Sequence, residues 1–503
     1  MAPGAGPSTV SAPGLPAPPG WSTLPVMKTR TSRAPLAAVI LAAGKGTRMK
    51  SSTAKVLHPL SGRPLAWFPI RAALEAGASP VVVVVGHQAE AVEAALRAAL
   101  PGAPLRFALQ AEQRGTAHAV LAAKAALRGV TGPIAILSGD TPLLSTTTLK
   151  RVVQARSRRK APLAFATMNL AEPRGYGRVL RGEDGTPTGI VEEKDATEAQ
   201  RIIGEVNAGL YCADAEFLWR ALSRVGSKNA QGEFYLTDLV ALAARRVPAV
   251  AVEVDPLEAS GVNDLEELAR SGKVLQQRRA SALMRAGVTL EDPARFLCDE
   301  GVEIAADVVI EPDVRLRGAT RIGAGCRLGQ GSVLTDAVLA EGVTVKPYTV
   351  IEGPATVGAR SILGPFSRIR PGSELAEGVH LGNFVETKKT RLGKGSKANH
   401  LAYLGDAVIG AGVNVGCGTI TCNYDGEKKH ETRIGDGAFI GSDSILVAPI
   451  EIGAGAYTAA GSTITESVPA GALALGRAKQ VNKEGWAVRL QVERAARRAA
   501  EKE

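Results

Sequence analysis

From Ile304 an aliphatic residue returns at every sixth position, through Ile310, Leu316, Ile322, Leu328 and Leu334. After one step of five the count resumes at Leu339 and runs through Val345, Ile351, Val357, Leu363, Ile369, Leu375 and Leu381. A period of six fits neither the helical 3.6 nor the strand period of 2, so the chain must turn between repeats. The pattern predicts a parallel β-solenoid. Each hexad supplies a short strand with its aliphatic side chain inside, and small residues such as Gly323, Gly329 and Gly364 follow in the turns. The short step to Leu339 reads as a local bulge. Beyond Leu381 the count is expected to loosen in two polar segments, Asn383 to Asp406 and Asn423 to His430, with hexads at Ile409 and Val415 between them. It resumes at Ile434, Ile440, Leu446 and Ile452. Functional residues tend to lie on departures from a rigid scaffold. The repeat alone serves equally well as a spacer.

The first half carries a different pattern. From Leu36 to about Asn263, apolar runs (Ala37 to Leu41, Val81 to Val85, Ile134 to Leu137) alternate with Ala-rich helical stretches such as Ala89 to Leu100 and Ala117 to Leu127. This predicts a doubly wound α/β domain with a mostly parallel sheet, whose ligands bind at the carboxyl ends of the strands. Between the halves, Leu265, Leu268, Val274, Leu275 and Leu283 predict a connecting helix, opened by Asp264 and Glu267 at capping-box spacing. The expected division is an extension at 1–33, the α/β domain at 34–264, a linker helix at 265–287, the solenoid at 288–480 and a basic tail at 481–503. The extension is rich in Pro, Gly, Ala and Ser and is expected to be disordered. Met27, just before the basic stretch leading to the first strand, is a natural alternative first residue.

Composition narrows the setting. The 503 residues leave room for two or more domains, and 45% hydrophobic content suffices for packed cores. The longest purely aliphatic run, Val81 to Val85, is far too short to span a bilayer, and no basic residue precedes an apolar stretch at the start. Five cysteines, with no CxxC pair, suit free thiols in a reducing compartment, so cytoplasm is the expected location. The net charge of +11 fits a nucleic-acid partner or anionic small substrates. Dispersed basic residues and 4% aromatics favour the substrates, with no nucleic acid and no membrane. The dense stretches Arg151 to Lys160 and Arg489 to Arg498 read as solvated helix faces.

The first candidate chemistry is the loop Leu41-Ala-Ala-Gly-Lys-Gly-Thr-Arg-Met49, with Lys55 following. Gly44 and Gly46 let backbone amides approach phosphate oxygens, and Arg48 and Lys55 add positive charge. The loop is no Walker A motif and has Met49 where a dinucleotide fingerprint has its third glycine, so a tight structural turn is an equal reading on these residues alone. Gln110-Ala-Glu-Gln113-Arg-Gly115-Thr116-Ala-His118, Ser138-Gly139-Asp140, Gly175-Tyr-Gly177, Glu192-Glu-Lys-Asp195 and Asn207-Ala-Gly follow in order.

With these motifs the chain resembles the sugar nucleotidyltransferases. With the hexads added, it resembles the bifunctional bacterial N-acetylglucosamine-1-phosphate uridyltransferase and glucosamine-1-phosphate acetyltransferase family, over about residues 36 to 487. The resemblance implies a left-handed β-helix of hexapeptide repeats. It implies nucleoside contacts from Leu41, Ala42 and Gly44, with Ser138 beside them, and triphosphate contacts from the catalytic Arg48 and Lys55. Gln110, Gly115 and Thr116 would hold the uracil region, and Gly177, Glu192 and Asn207 the sugar phosphate. Asp140 and Asn263 would hold Mg²⁺, since oxygen ligands suit a hard cation that also binds phosphates. Without the resemblance, Asp140 could as well be a cap, and Asn263 the boundary residue of the next helix.

Acetyl transfer to an amine needs a base, because a protonated amine has no lone pair, and a histidine suits that task. The resemblance assigns it to His400. Arg370, Lys388 and Lys429 would hold the sugar phosphate, Tyr403 and Asn414 the sugar, and Asn423 and Tyr424 the acetyl group and pantetheine arm. Ser442, Ala460 and Arg477 would line the rest of acetyl-CoA. Glu386 would orient the amine or His400, or simply pair with Lys388. A homotrimer follows by the same analogy. The implied activity is N-acetylation of glucosamine-1-phosphate by acetyl-CoA, then uridylyl transfer from UTP with release of pyrophosphate. The rivals are a single-activity nucleotidyltransferase with a structural β-helix, and a regulatory protein that keeps both folds without chemistry.

Overall fold

The computed structural model describes residues 35–501, so the extension expected at 1–33 lies outside the described residues. The amino-terminal half is a sheet wrapped by helices. Its elements in chain order are β1 (Ala37–Ala42), α1 (Trp67–Glu75), β2 (Val81–Val85), α2 (Ala89–Ala99), β3 (Leu105–Leu109), α3 (Thr116–Ala122), β4 (Pro133–Ser138), α4 (Thr146–Arg159), β5 (Leu163–Asn169), β6 (Glu205–Asp214), α5 (Ala215–Leu222), α6 (Asp238–Ala244) and β7 (Val250–Glu253). The strand order is β7-β5-β6-β4-β1-β2-β3. Only β6 runs antiparallel to its neighbours along this path. Helices cover both faces, which is why β2 is five consecutive valines, all buried. The chain winds outward in opposite directions from β1 and β4, so their adjacent carboxyl ends form the switch point where such sheets bind ligands.

Helix α7 (Leu265–Arg285) joins the halves. Asp264 caps it by accepting the Glu267 amide at 2.8 Å, but the reciprocal half of the expected box is displaced by one residue: Glu267 accepts the Asn263 amide at 2.6 Å. Further along the helix, Gln276 bonds both the Ser61 hydroxyl and the Cys298 backbone at 2.9 Å, and Arg71 on α1 reaches Glu300 at 2.8 Å. The sheet domain is thus pinned to the first coil of the solenoid as well as tethered to it.

The carboxyl-terminal half is a three-faced parallel coil, from Thr289–Leu290 to Leu473–Ala474, with short strands stacked in register. Its core is the hexad column: Ile310, Leu316, Ile322, Leu328 and Leu334 are each at most 1% exposed. The bulge expected between Leu334 and Leu339 is present as a register slip between Val333–Leu339 and Val350–Val357. Gly329 is required by the stacking, since a Cβ there would lie 2.5 Å from the Pro347 nitrogen.

The loosening expected after Leu381 is only half right. The coil continues without interruption through Asn383–Asp406, with Thr387, Ala398 and Leu404 in the inward slots. A polar residue fits there because its hydroxyl finds a partner inside: Thr387 Oγ1 lies 3.0 Å from Ser373 Oγ, and Thr421 Oγ1 donates to the Gly405 carbonyl at 3.0 Å. The true excursion is the second segment, around Asn423–His430, which leaves the coil between the strands Ile420–Cys422 and Thr432–Ile434.

Along one corner of the solenoid, successive coils present Tyr348, Phe366 and Phe384 as a stack, with ring centroids 5.3 and 5.7 Å apart. Leu401 follows one coil further on. All four have positive φ, between 44° and 59°, a region costing a non-glycine residue about 1–2 kcal/mol. All four remain about half exposed. The last helix, α8 (Trp486–Ala500), buries none of its residues. Among the described residues, no helix is long and apolar enough to cross a membrane.

Candidate functional site

At the sheet switch point, the Gly139 amide donates to the Leu41 carbonyl at 2.9 Å, bringing the loop after β1 against the end of β4. Gly46 has φ +62°, and a Cβ there would strike Lys55 Cβ at 2.5 Å, so this glycine is fixed by its own loop. Gly44 has no such constraint: it is exposed, and a Cβ would meet nothing within 4 Å. Leu41 is half-buried and Ala42 buried at the floor of the loop.

Four of the predicted residues meet over this floor. Lys55 Nζ bonds the Asp140 carboxylate and also Asn263 Oδ1 at 3.3 Å, and Arg48 donates to the same Asn263 oxygen at 2.8 Å. The Asp140 and Asn263 side-chain oxygens therefore converge on one point, which the Lys55 ammonium occupies. Among the described residues, no group of three or more His, Cys, Asp or Glu is placed to hold a metal.

On one side of this point lies the Gln110 motif. Gln110 is buried and donates to the Gly115 carbonyl at 3.2 Å, with His118 Nδ1 at the same distance. Gly115, at φ +108°, has no room for a Cβ beside Phe234, and the Thr116 hydroxyl accepts the Leu236 amide at 2.9 Å. On the other side, the Asn207 amide donates to the Gly177 carbonyl at 2.8 Å, and a Cβ on Gly177 would lie 3.3 Å from Glu192 Oε2. Gly177, Glu192 and Asn207 are thus one cluster. Burial pushes the Glu192 carboxyl above its usual range, while the Thr237 hydroxyl, donating at 3.0 Å, opposes that rise. Thr237 stands in no motif that sequence reading could flag. Ser138 faces Gly209 across the same end of the sheet.

On the solenoid, strand stacking gathers residues one coil apart. Glu386 pairs in register with Tyr403, and Arg370 reaches Glu386 at 2.8 Å. Glu386 therefore pairs with Arg370 rather than with Lys388. Lys429, returning on the excursion, comes up beside Lys388 as a like charge. That contact, with the Arg370 charge nearby, holds Lys388 below the usual lysine range, against the opposing pull of Asp406. Asn423 is buried and ties the base of the excursion to Asp406. Tyr424 stands exposed on it and forms a bridge with Lys429. Within the excursion, amides led by that of Lys428, and the His430 ring at 2.6 Å, hold the Asp425 carboxyl below its usual range.

His400 ends a strand at the adjacent corner, exposed, with Nδ1 2.8 Å from Asn383 Oδ1 on the preceding coil. With that oxygen accepting, Nδ1 carries the proton and Nε2 presents its lone pair to solvent. Asn383 was not singled out from the sequence. Its signal was the interval to His400, 17 residues, which is one turn of this part of the coil. The same corner continues through Ser442 and Ala460, joined where the Gly461 amide meets the Ser442 carbonyl at 2.8 Å, and Arg477 lies beside Gly461. Asn414 stands apart from the Arg370 cluster, on the flat face, between Lys397 and Phe439 in register.

Two family descriptions match the chain: the MobA-like NTP transferase domain over residues 38–203, and the bacterial transferase hexapeptide (six repeats) over residues 431–466. Among similar proteins, the bifunctional protein GlmU of Anaeromyxobacter sp. (strain Fw109-5) is 74% identical over 470 residues, covering 93% of this chain and 96% of that protein. The protein of the same name from Anaeromyxobacter dehalogenans (strain 2CP-C) is 69% identical, covering 92% and 95%. That of Sorangium cellulosum (strain So ce56) is 53% identical, covering 92% and 98%. With its nucleotidyltransferase sheet, its hexapeptide coil and this identity along nearly its whole length, the chain belongs to the family of bifunctional GlmU proteins.

Proposed function

We propose that the chain makes UDP-N-acetylglucosamine in two steps, acetylating glucosamine-1-phosphate on the solenoid and then joining the product to UTP on the sheet domain. The working division is the one expected from the sequence: 34–264 for uridylyl transfer, 265–287 as linker, 288–480 for acetyl transfer and 481–503 as tail. Both reactions are assigned to the cytoplasm. The observation that carries the reading is the presence, on one chain of this family, of two separate cation clusters, each beside a group able to do the matching chemistry.

In uridylyl transfer an oxygen of the sugar phosphate attacks the α-phosphorus of UTP, and pyrophosphate leaves. Positioning and charge neutralisation are the protein's main contributions. Gln110, Gly115 and Thr116 frame the base, Gly177, Glu192 and Asn207 the sugar, and Arg48 and Lys55 the phosphates. Convergence of the Asp140 and Asn263 oxygens on a point already suited to a cation supports Mg²⁺ there. Two protein ligands leave room for phosphate oxygens and waters. When bound, the metal would neutralise phosphate charge. Lys55 would then turn from Asp140 toward the triphosphate.

In acetyl transfer, His400 Nε2 takes the proton of the substrate amine as nitrogen attacks the thioester carbonyl of acetyl-CoA, and the coenzyme leaves as its thiol. Arg370, Lys388 and Lys429 hold the phosphate, Tyr403 the sugar, and Asn423, Tyr424, Ser442, Ala460 and Arg477 the acetyl donor; Asn414, which stands apart from these on one chain, would reach the sugar from a neighbouring solenoid. A flat-sided coil cannot enclose the donor alone, which supports a homotrimer with sites between neighbouring solenoids. The exposed aromatic corner supports the same reading.

Separate assays on two variants test the assignment. His400→Ala is expected to lose acetyl transfer by at least a hundredfold while uridylyl transfer stays at the parent level, and Asp140→Ala to do the reverse. Normal acetylation by His400→Ala would mean that another group is the base. A parent protein active in neither assay would return the chain to the regulatory reading.

A further inference from the structure

The basic stretch Arg151 to Lys160, read from the sequence as a solvated helix face, does not simply face solvent. The carboxyl ends of α4, α5 and α6 meet around a recess of about 400 Å³. Arg156 comes from α4 and Lys160 from just past it, Arg220 from α5 and Arg224 from just past it, and Arg245 and Arg246 from just beyond α6. Two carboxylates answer these six cations. Arg156 bonds Asp214 at 2.7 Å, and Arg220 lies 3.6 Å from Glu216. Lys160, Arg224, Arg245 and Arg246 have no carboxylate partner among the described residues. The Arg156 side chain is 14% exposed, and its Nε is buried without a hydrogen-bond partner. Phe217, Leu242 and Pro162 contribute apolar wall between the charges.

Helix carboxyl ends attract cations, and that attraction accounts for one or two at each end on an open surface. Here they converge on a concavity whose low-dielectric walls strengthen their mutual repulsion and focus a positive field into it. A bound anion relieves the repulsion and offers an acceptor to the unpartnered Nε of Arg156.

We infer that this recess is a further anion site on the sheet domain, taking a polyphosphorylated small molecule of nucleotide size, with phosphates among Lys160, Arg224, Arg245 and Arg246 and an apolar moiety against Phe217 and Leu242. It is separate from the catalytic point. Asp214 pairs in register with Pro133, at the amino end of β4, whereas Ser138 and Asp140 lie at and just past its carboxyl end. Six strand residues at about 3.3 Å each put the two ends roughly 17–20 Å apart. Strand β6 joins them, carrying Asn207 near its first residues and Asp214 at its last. An anion competing for Arg156 would therefore pull on the strand that presents the sugar contact.

The test is calorimetric titration of the full chain with inorganic triphosphate, in EDTA and 150 mM salt so that diffuse surface attraction is screened. The parent for this titration carries Lys388→Ala/Lys429→Ala, which removes the phosphate cluster of the solenoid, so two components are expected. The Arg224→Gln/Arg246→Gln variant should lose one, its affinity falling at least tenfold, with melting temperature and uridylyl transfer unchanged. Lys55→Ala should lose the other and keep the first. A double variant whose isotherm matches the parent overturns the proposal. So does a single component that disappears in Lys55→Ala, or no binding at all.

Discussion

At the residue scale, His400 owes its readiness to one neighbour. Its Nδ1 is held by Asn383 Oδ1 at 2.8 Å, and that bond decides which nitrogen faces the substrate. Asn383→Leu frees the ring to rotate and to change tautomer. One hydrogen bond is worth about 0.5–1.5 kcal/mol, so kcat for acetyl transfer should fall about two- to thirteenfold with KM for glucosamine-1-phosphate little changed. Asn383→Asp keeps the geometry and adds a charge that favours the imidazolium. The acidic limb of its pH–rate profile should therefore move to higher pH. Equal loss of rate at every pH in both variants would mean that Asn383 only supports the local backbone. This partnership was readable in principle, because the two residues are one turn of the coil apart. It was missed because the segment from Asn383 was read as a departure from the coil, whereas Asn383 and His400 sit on successive coils.

At the scale of the element, the excursion at Asn423–His430 is the only part of the acetyl-transfer cluster not generated by stacking. It adds Lys429 to Lys388 and Arg370, and the crowding holds Lys388 below the usual lysine range. A lysine depressed in this way loses its charge, and so its hold on a phosphate, as pH rises through the lowered value, earlier than an ordinary lysine would. Removing the neighbour reverses the shift. Lys429→Met should move the alkaline rise in KM for glucosamine-1-phosphate to higher pH, while raising KM several-fold at neutral pH through the lost contact. A pH series of KM for both proteins decides this, and an unshifted rise would exclude Lys388 as the titrating group. The hexads made the scaffold legible because burial demands aliphatic side chains at fixed steps. The coils after Leu381 were misread as an interruption because Thr387 and Ala398 fill inward slots, where hydroxyl pairing and small size replace aliphatic bulk. On the sheet domain, glycines and charges near the strand ends were legible one motif at a time. The support that Thr237 gives Glu192 spans the fold and leaves no local pattern.

At the scale of the whole molecule, the sheet domain rides on the solenoid through α7, Gln276 and the Arg71–Glu300 pair. The corner of Tyr348, Phe366, Phe384 and Leu401 bears on how that body exists in solution. Each of these residues holds a backbone conformation that glycine adopts freely, and each leaves about half its surface to water. Phe384→Gly should therefore ease the local backbone while removing apolar cover. On the trimer reading, sedimentation should show a larger dissociated fraction for the variant at low micromolar concentration, and its acetyl transfer should fall with dilution more steeply than the parent's. Unchanged sedimentation and dilution behaviour would separate the corner from assembly.

The same corner carries a consequence for dosage. If acetyl transfer depends on neighbours covering this strip while uridylyl transfer is completed within one chain, the two activities obey different concentration laws. A cell making little of this protein would retain the second reaction while losing the first out of proportion.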